Sequence, residues 1–148
     1  MPDISTKIAA DYIEQFEGCR LTAYKDQKGV WTVGYGSTGS DVVEGTVWTL
    51  DQAERRLDSD LTKFQSIVRQ LTNNMAFTPK QEAALISLTY NTGPAALNKT
   101  ELQTVIIQKD WLNAPAQMIR WCHCDNHPDK GLLIRRLREA ALFLEGTP

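Results

Sequence analysis

One glycine-rich stretch, residues 16–38 (FEGCRLTAYKDQKGVWTVGYGST), limits what this chain can fold into more than any other part of it. Residues 20–24 and 30–35 have strand composition. The KDQKG sequence between them has turn composition, with Gly29 available for a positive φ. The stretch therefore predicts a β-hairpin, with one more short strand around residues 42–43. Because so small a glycine-rich β region buries little apolar surface by itself, we expect it to pack against helices.

Helical periodicity is found on both sides of this stretch. Residues 4–17 carry apolar side chains on one face, and Gly18 is a natural end for that helix. The sequence TLDQ is a capping box that begins a helix over residues 49–72, long enough to connect two parts of the molecule. A second capping box, TPKQ at residues 78–81, begins another apolar helix.

The C-terminal third of the chain also has helical periodicity. Helices are expected to begin near Thr100 and Pro115, followed by an irregular loop over residues 122–130. The last helix, residues 131–145, carries one apolar stripe that we expect to face the core. The stripe consists of Leu133, Leu137, Ala140 and Leu144.

The composition excludes several classes of protein. A net charge of −2 over 148 residues argues against nucleic-acid binding. The sequence has no run of about 18 apolar residues, so we expect no stable membrane insertion. Because the N-terminus lacks the features of a signal peptide, we expect synthesis in the cytoplasm. The three cysteines, Cys19, Cys122 and Cys124, are expected to be reduced thiols because they are too few for a disulfide scaffold.

Two carboxylates and a hydroxyl lie on different elements of the stretch. Glu17 ends the first helix beside Phe16, Asp26 lies at the hairpin turn, and Thr32 lies on the second strand. The negative end of a helix dipole and nearby apolar surface both favour the protonated carboxyl that a general acid needs. Two acids facing a common space are the minimum equipment for hydrolysing a glycosidic bond. Taken singly, each residue is also explained by local hydrogen bonding in a cap, turn or strand.

The frame FEG…AYxD…WTxGYG around these residues resembles the phage-type lysozymes, glycoside hydrolase family 24. TPKQEAALISLTYNTG resembles the central helix of that family, and GLLIRRLREAALF resembles its C-terminal helix. The resemblance covers nearly the whole chain and implies an α+β, mostly α, lysozyme-like fold. It implies one domain over residues 1–148, with a β lobe (18–48), a connecting helix (49–72) and a helical lobe (1–17 and 73–148).

The resemblance also implies an activity, that of an endolysin or muramidase. Such an enzyme hydrolyses the β-1,4 bonds between N-acetylmuramic acid and N-acetylglucosamine in peptidoglycan. Glu17 matches the general acid of the family, Asp26 the carboxylate that activates water, and Thr32 the hydroxyl beside that water. Inversion at the anomeric carbon is implied as well, which requires carboxyl groups about 6.5–9.5 Å apart. A non-catalytic wall-binding or phage structural module and a lytic transglycosylase remain alternatives.

Four further residues fall near positions that line the sugar cleft of the family: Thr38, Tyr90, Asn91 and Thr100. Tyr90 offers an aromatic face to a pyranose, and Asn91 beside it offers an amide. The structural alternatives are a core aromatic for Tyr90 and loop or cap residues for Thr38 and Thr100.

Two adjacent arginines of the last helix, Arg135 and Arg136, are the candidates to reach Glu17. Basic residues of this helix do so in relatives, and Arg135 is included among the predicted substrate-binding residues. An arginine there favours the ionised carboxylate and opposes the effect of the helix end.

The resemblance implies no cofactor and no metal. The loop over residues 122–130 does contain ligand types that bind zinc, namely Cys122, His123, Cys124 and His127. Because C-x-C with one or two histidines is not a usual zinc-finger spacing, a solvent-facing loop with a half-buried thiol is the preferred interpretation. The expected partners are peptidoglycan glycan strands and a holin. We expect a monomer in the host cytoplasm that acts on the wall in the periplasm after the membrane is permeabilised.

Overall fold

Six α-helices and two β-hairpins make up residues 3–148, the part of the chain that the computed structural model describes. In chain order they are α1 (Ile4–Glu17), β1 (Arg20–Lys25), β2 (Trp31–Gly34), α2 (Leu50–Leu71), α3 (Pro79–Thr92), a 3₁₀ turn (Pro94–Ala96), α4 (Glu101–Ile107), α5 (Ala114–Ile119), β3 (His123–Cys124), β4 (His127–Pro128) and α6 (Lys130–Gly146). The predicted class, α+β and mostly α, is confirmed. Residues 1 and 2, which the predicted domain includes, lie outside the described residues.

Helix α3 lies at the centre and is in contact with α1, α2 and α6. Every side chain over residues 81–89 is buried, so this helix has no solvent face along most of its length. The capping box predicted from TPKQ is present: Thr78 and Gln81 exchange side-chain and backbone hydrogen bonds, and Pro79 occupies the first turn. Such full burial makes α3 the element against which the others pack.

Helix α2 connects the hairpin region to the helices. Its 22 residues span about 33 Å at 1.5 Å per residue. The predicted helix over residues 49–72 is confirmed, and Thr49 and Gln52 form its capping box. Neither α2 nor any other helix among residues 3–148 combines the length and apolarity needed to cross a membrane.

Strands β1 and β2 form the predicted antiparallel hairpin, in which Tyr24 pairs with Thr32. The prediction of a further strand at residues 42–43 is wrong. That segment forms turns, and β1 instead pairs with the following residues through a bridge between Thr22 and Val47. Val42 is buried and lies in such a turn, in which its backbone N–H donates to Gly39 O at 3.0 Å. Two β-branched residues were therefore not sufficient to extend the backbone.

The apolar stripe predicted for the last helix does not face the core. Leu133, Leu137 and Leu144 of α6 are 36%, 47% and 48% exposed. Ala140 is the one residue of the predicted stripe that is buried. The inward face also contains charged residues, which are paired with one another and with neighbouring helices. The buried residues of α6 are Arg135, Arg136, Glu139, Ala140, Leu142 and Phe143.

The loop predicted over residues 122–130 contains a short second hairpin, β3–β4. Cys124 pairs with His127, and the two residues between them, Asp125 and Asn126, have φ values of 50° and 64°. Positive φ at both central residues is the geometry of a type I′ turn, which Asp and Asn tolerate. Periodicity could not predict this hairpin because each strand has only two residues.

Candidate active site

A cleft of about 1300 Å³ lies between the turn of the first hairpin and the helices that follow α2. Its lining includes residues 26–28 of that turn and residues of α3, α4, α5, the second hairpin and α6. Glu17 and Asp26 both line it, so two of the three predicted catalytic residues share one solvent space. A groove of this size, with carboxylates in its lining, can hold several sugar residues of a glycan.

Glu17 is the last residue of α1 and is 24% exposed. Gly18 ends the helix at φ 63°, and its N–H donates to Glu14 O at 3.2 Å. Gly36 lies close to the Glu17 carboxylate, since a Cβ atom placed on Gly36 would lie 3.0 Å from Glu17 Oε2. The helix end, Gly36 and an arginine described next therefore fix the position of this carboxylate.

Arg135 is the arginine that reaches Glu17. Its Nη1 donates to Glu17 Oε1 at 2.6 Å, while its Nε donates to Glu139 Oε2 at 3.3 Å. Arg136 instead donates from Nη2 to Asn91 Oδ1 at 2.8 Å. The structure thus decides between the two candidates: α6 directs one arginine to the predicted acid and the next to an amide of the cleft.

Asp26 is held by its own turn. Its Oδ1 accepts the backbone N–H groups of Lys28 at 2.8 Å and Val30 at 2.9 Å. No described residue donates a hydrogen bond to Oδ2. One oxygen therefore fixes the side chain while the other is available to water or substrate.

Thr32 is buried on β2, with its hydroxyl donating to Val30 O at 2.9 Å. Because Val30 N–H also donates to Asp26, residue 30 connects the predicted hydroxyl to the predicted carboxylate. Thr32 does not belong to the described lining of the cleft. Its link to Asp26 is indirect, through the backbone of Val30, which hydrogen bonds to both side chains.

Of the predicted substrate-binding residues, Asn91 and Thr100 line the cleft. Asn91 is near the end of α3, and its Oδ1 is occupied by Arg136. Thr100 is the N-cap of α4: its hydroxyl accepts from Gln103 N–H at 3.1 Å and donates to Ala96 O at 2.7 Å. Thr100 therefore has the capping role that its sequence context offers, and it also borders the groove.

Tyr90, Thr38 and Arg135 do not belong to the described lining. The Tyr90 hydroxyl donates to Tyr35 O at 2.6 Å, and its ring packs edge-on against Phe64. Burial raises the pKa of Tyr90 well above its ordinary value. The contacts of Tyr90 are those of the structural alternative, a packing residue that attaches the glycine-rich region to α3.

Thr38 is exposed, and its carbonyl accepts from Arg56 Nη2 at 2.5 Å. Arg56 also pairs with Asp41 at 2.6 Å and Asp60 at 3.1 Å. The loop after β2 is thereby fastened to α2. This contact accounts for the position of Thr38 without a ligand.

The phage lysozyme family model matches residues 14–139 of this chain, a range that contains the cleft and all of the predicted catalytic residues. The chain belongs to the phage lysozyme family. The resemblance inferred from its motifs is confirmed.

Individual members of the family and solved structures agree with this assignment. The endolysin of Bacillus phage PZA is 36% identical over 92% of this chain, which spans about half (53%) of that relative. The structure of an endolysin from Escherichia coli O157:H7 phage FAHEc1 superposes with a TM-score of 0.84 at 30% identity, covering 95% of this chain and 93% of that one. The muramidase domain of SpmX from Asticaccaulis excentricus gives 0.85 at 30% identity and covers 100% of both chains.

Several cleft residues of this phage lysozyme family member were not among the predicted site residues. Glu101 and Arg120 line the groove and form an exposed ion pair at 3.0 Å. Trp121 also lines it, and Cys124 Sγ lies 3.8 Å from Gln27 Oε1, so the second hairpin meets the turn of the first. The sequence signal for these residues is weak because they lie in or beside short elements whose neighbours are distant in the chain.

The cysteines and histidines of the second hairpin do not assemble into a metal site. Among residues 3–148, no three His, Cys, Asp or Glu side chains are grouped so that they could hold a metal ion. His123 is exposed and lies 3.9 Å from Cys122 through Nδ1 and Sγ. Cys19, Cys122 and Cys124 are all free.

Proposed function

We propose that this chain is a muramidase that hydrolyses the β-1,4 bond between N-acetylmuramic acid and N-acetylglucosamine in peptidoglycan. One observation carries the proposal: in a chain of the phage lysozyme family, Glu17 and Asp26 line the same cleft of about 1300 Å³. Glycoside hydrolysis needs two carboxyl groups on a common space, one to protonate the leaving oxygen and one to act at the anomeric carbon.

Glu17 is the proposed general acid. It would donate its proton to the glycosidic oxygen as the bond to the anomeric carbon breaks, which leaves Glu17 as a carboxylate. Arg135 Nη1, 2.6 Å from Glu17 Oε1, stabilises that negative charge.

Asp26 is the proposed base. With Oδ1 occupied by two backbone N–H groups, Oδ2 would accept a proton from the water that attacks the anomeric carbon. Thr32 would orient this water through its hydroxyl, which Val30 holds near the turn. Attack by water from the face opposite the leaving group inverts the configuration of the anomeric carbon.

The sugar contacts are proposed in two groups. Asn91 and Thr100, which line the cleft, would hydrogen bond to glycan hydroxyl or acetamido groups. Thr38, Tyr90 and Arg135 would act from behind this lining, by fixing the backbone and the acid that the sugar touches.

The biological setting of the proposed activity is that of an endolysin. The chain would act as a monomer on peptidoglycan of the host cell wall and release phage by lysis. A holin or other membrane damage would give it access from the cytoplasm to the periplasm. Chemical cross-linking of the purified chain tests the monomer, and co-expression with and without a holin tests access.

Digestion of purified peptidoglycan sacculi tests the chemistry. Wild type should release muropeptides with reducing ends, and Glu17→Gln should lower the rate about 10³-fold because it removes the transferable proton. Glu14→Gln is the matched control: Glu14 lies one turn earlier in α1 and does not line the described cleft. It should digest sacculi at the wild-type rate.

The products separate the alternatives. Mass spectrometry that finds 1,6-anhydro sugars would identify a lytic transglycosylase, and NMR of fresh products gives the anomeric configuration. Binding to sacculi without digestion by wild type would identify a non-catalytic wall-binding module. Equal digestion by wild type and Glu17→Gln would remove Glu17 from the mechanism.

A further inference from the structure

Glu139 is a carboxylate with no exposed surface, in the interior between α6 and α3. Its Oε2 accepts from Ser87 Oγ at 2.5 Å and from Arg135 Nε at 3.3 Å. Its Oε1 lies 2.7 Å from Arg136 Nε, an ion-pair contact whose angle does not meet hydrogen-bond geometry. Burial raises the pKa of Glu139, and the two arginines oppose this by attracting the carboxylate.

Arg135 makes hydrogen bonds with all three nitrogens of its guanidinium group. Arg135 holds Glu139 with Nε, Glu17 with Nη1 and the Ser87 carbonyl with Nη2 at 3.4 Å. Its guanidinium also lies over the Phe16 ring, 4.8 Å from the centroid. A planar group bound at all three nitrogens and on one face is restrained in orientation, and Glu139 supplies one of these restraints.

Arg136 makes the corresponding connection to another part of the cleft. It contacts Glu139 with Nε, donates to Trp121 O from Nη1 at 3.3 Å, and donates to Asn91 Oδ1 from Nη2. Asn91 and Trp121 both line the cleft. One buried carboxylate is therefore the common partner of two cations that reach different points of the groove.

We propose that Glu139 is a positioning residue of the site, whose charge holds Arg135 against the acid Glu17 and Arg136 against Asn91. The inference rests on the proposed function, since it requires Glu17 to be the acid. Charges alternate along the series Glu17, Arg135, Glu139, Arg136. Arg135 therefore lies between two carboxylates, and Arg136 lies between the Glu139 carboxylate and the Asn91 amide. Without the charge of Glu139, the field of Arg135 acts on Glu17 alone.

The test is Glu139→Gln, which keeps the size of the side chain and one acceptor oxygen but removes the charge. Arg135 then lacks its second carboxylate partner, so the alkaline limb of the pH–rate profile should move to lower pH by roughly half to one unit. At pH values on that limb, kcat should fall about 3- to 10-fold. KM should rise because Arg136 holds Asn91 less firmly.

Glu82→Gln is the matched control for a merely structural role. Glu82 is also a buried carboxylate of the helical core, held by Arg69 and Gln65, and it borders a separate small pocket rather than the described cleft. It should lose thermal stability while its pH–rate profile stays that of wild type. The other titratable groups near the Glu17 and Arg136 charges, Tyr90 and Cys122, are unchanged in both variants.

A second variant covers the case in which Glu139→Gln does not fold. Ser87→Ala removes only the hydroxyl that donates to Glu139 Oε2, and it should shift the alkaline limb in the same direction by a smaller amount. Wild-type pH profiles in the folded Glu139→Gln, or in Ser87→Ala if the first variant is unfolded, would overturn the proposal. Full activity of Glu17→Gln would instead overturn the proposed function, so the two failures are distinguishable.

Discussion

The two proposed catalytic carboxylates of the cleft are held by opposite means. Glu17 depends on Arg135, which is 118 residues away in the chain and 6% exposed. Asp26 depends on the backbone N–H groups of Lys28 and Val30, two and four residues away. The proposed acid is thus held by a buried charge from another helix, whereas the proposed base is held by a short turn.

Because of this difference, the stability and the activity of the site should respond differently to substitutions in the turn and in the helices. A turn that bonds one carboxylate oxygen can form wherever its five residues are present, because its hydrogen bonds are local. A buried ion-pair network forms only when the helices that carry it are already packed, since each isolated charge is costly to bury. Variants of the helical side should therefore disturb stability and activity together, and variants of the turn should disturb activity alone.

Arg135→Met should have the largest effect. It leaves Glu139 with one cation in the interior, and breaking a buried pair in this way costs about 3–5 kcal/mol of unfolding free energy. Arg120→Met, which breaks the exposed pair with Glu101, should cost about 0–1 kcal/mol. Urea denaturation of both variants measures the contrast, and similar losses would show that the network is not a main anchor of α6.

Asp26→Asn should lower the rate of peptidoglycan digestion by about 10²- to 10³-fold, because an amide cannot accept a proton from water. Its unfolding free energy should change by less than about 0.5 kcal/mol, since Asn Oδ1 still accepts both turn N–H groups. The same substitution at Asp125, another carboxylate of the cleft, should leave the rate within about twofold of wild type. An active Asp26→Asn would break the comparison on the turn side.

Gly36→Ala tests the close approach of Gly36 to Glu17 Oε2, the carboxylate oxygen that Arg135 does not bind. The added Cβ would lie 3.0 Å from Glu17 Oε2, at a residue with φ of 80°. The left-handed backbone should cost about 1–2 kcal/mol of unfolding free energy, and displacement of Glu17 should lower activity roughly tenfold. Gly45→Ala, at φ 85° but with no atom within 4 Å of its new Cβ and outside the turn that holds Asp26, should show the stability loss without the activity loss.

Thr32→Val should have the smallest effect. It removes the hydrogen bond to Val30 O at about 1 kcal/mol of unfolding free energy. The rate of digestion should fall severalfold if the hydroxyl orients the attacking water, and Thr32→Ser should restore most of it. Equal rates for wild type, Val and Ser variants would limit Thr32 to a structural role in the hairpin.

Features that depend on neighbouring residues were predicted correctly from the sequence. They include the capping boxes at Thr49 and Thr78, the end of α1 at Gly18, and the β1–β2 hairpin. The placement of Glu17 and Asp26 in one cleft was expected from the family resemblance. The capping boxes and the end of α1 were predictable because their hydrogen bonds are made within a few residues.

Features that depend on distant partners were not predictable in this way. The pattern of α6 favours burial of Leu133 and Leu137, but Arg135 and Glu139 are buried instead. Their charges are satisfied by Glu17 of α1 and Ser87 of α3, which no local pattern reveals. The amino-acid sequence alone was enough to place the capped ends of α1, α2 and α3 and the first hairpin, since their capping and turn bonds are local. Only the tertiary structure decided which faces are buried, because the cost of burying a charge depends on the partners that folding brings to it.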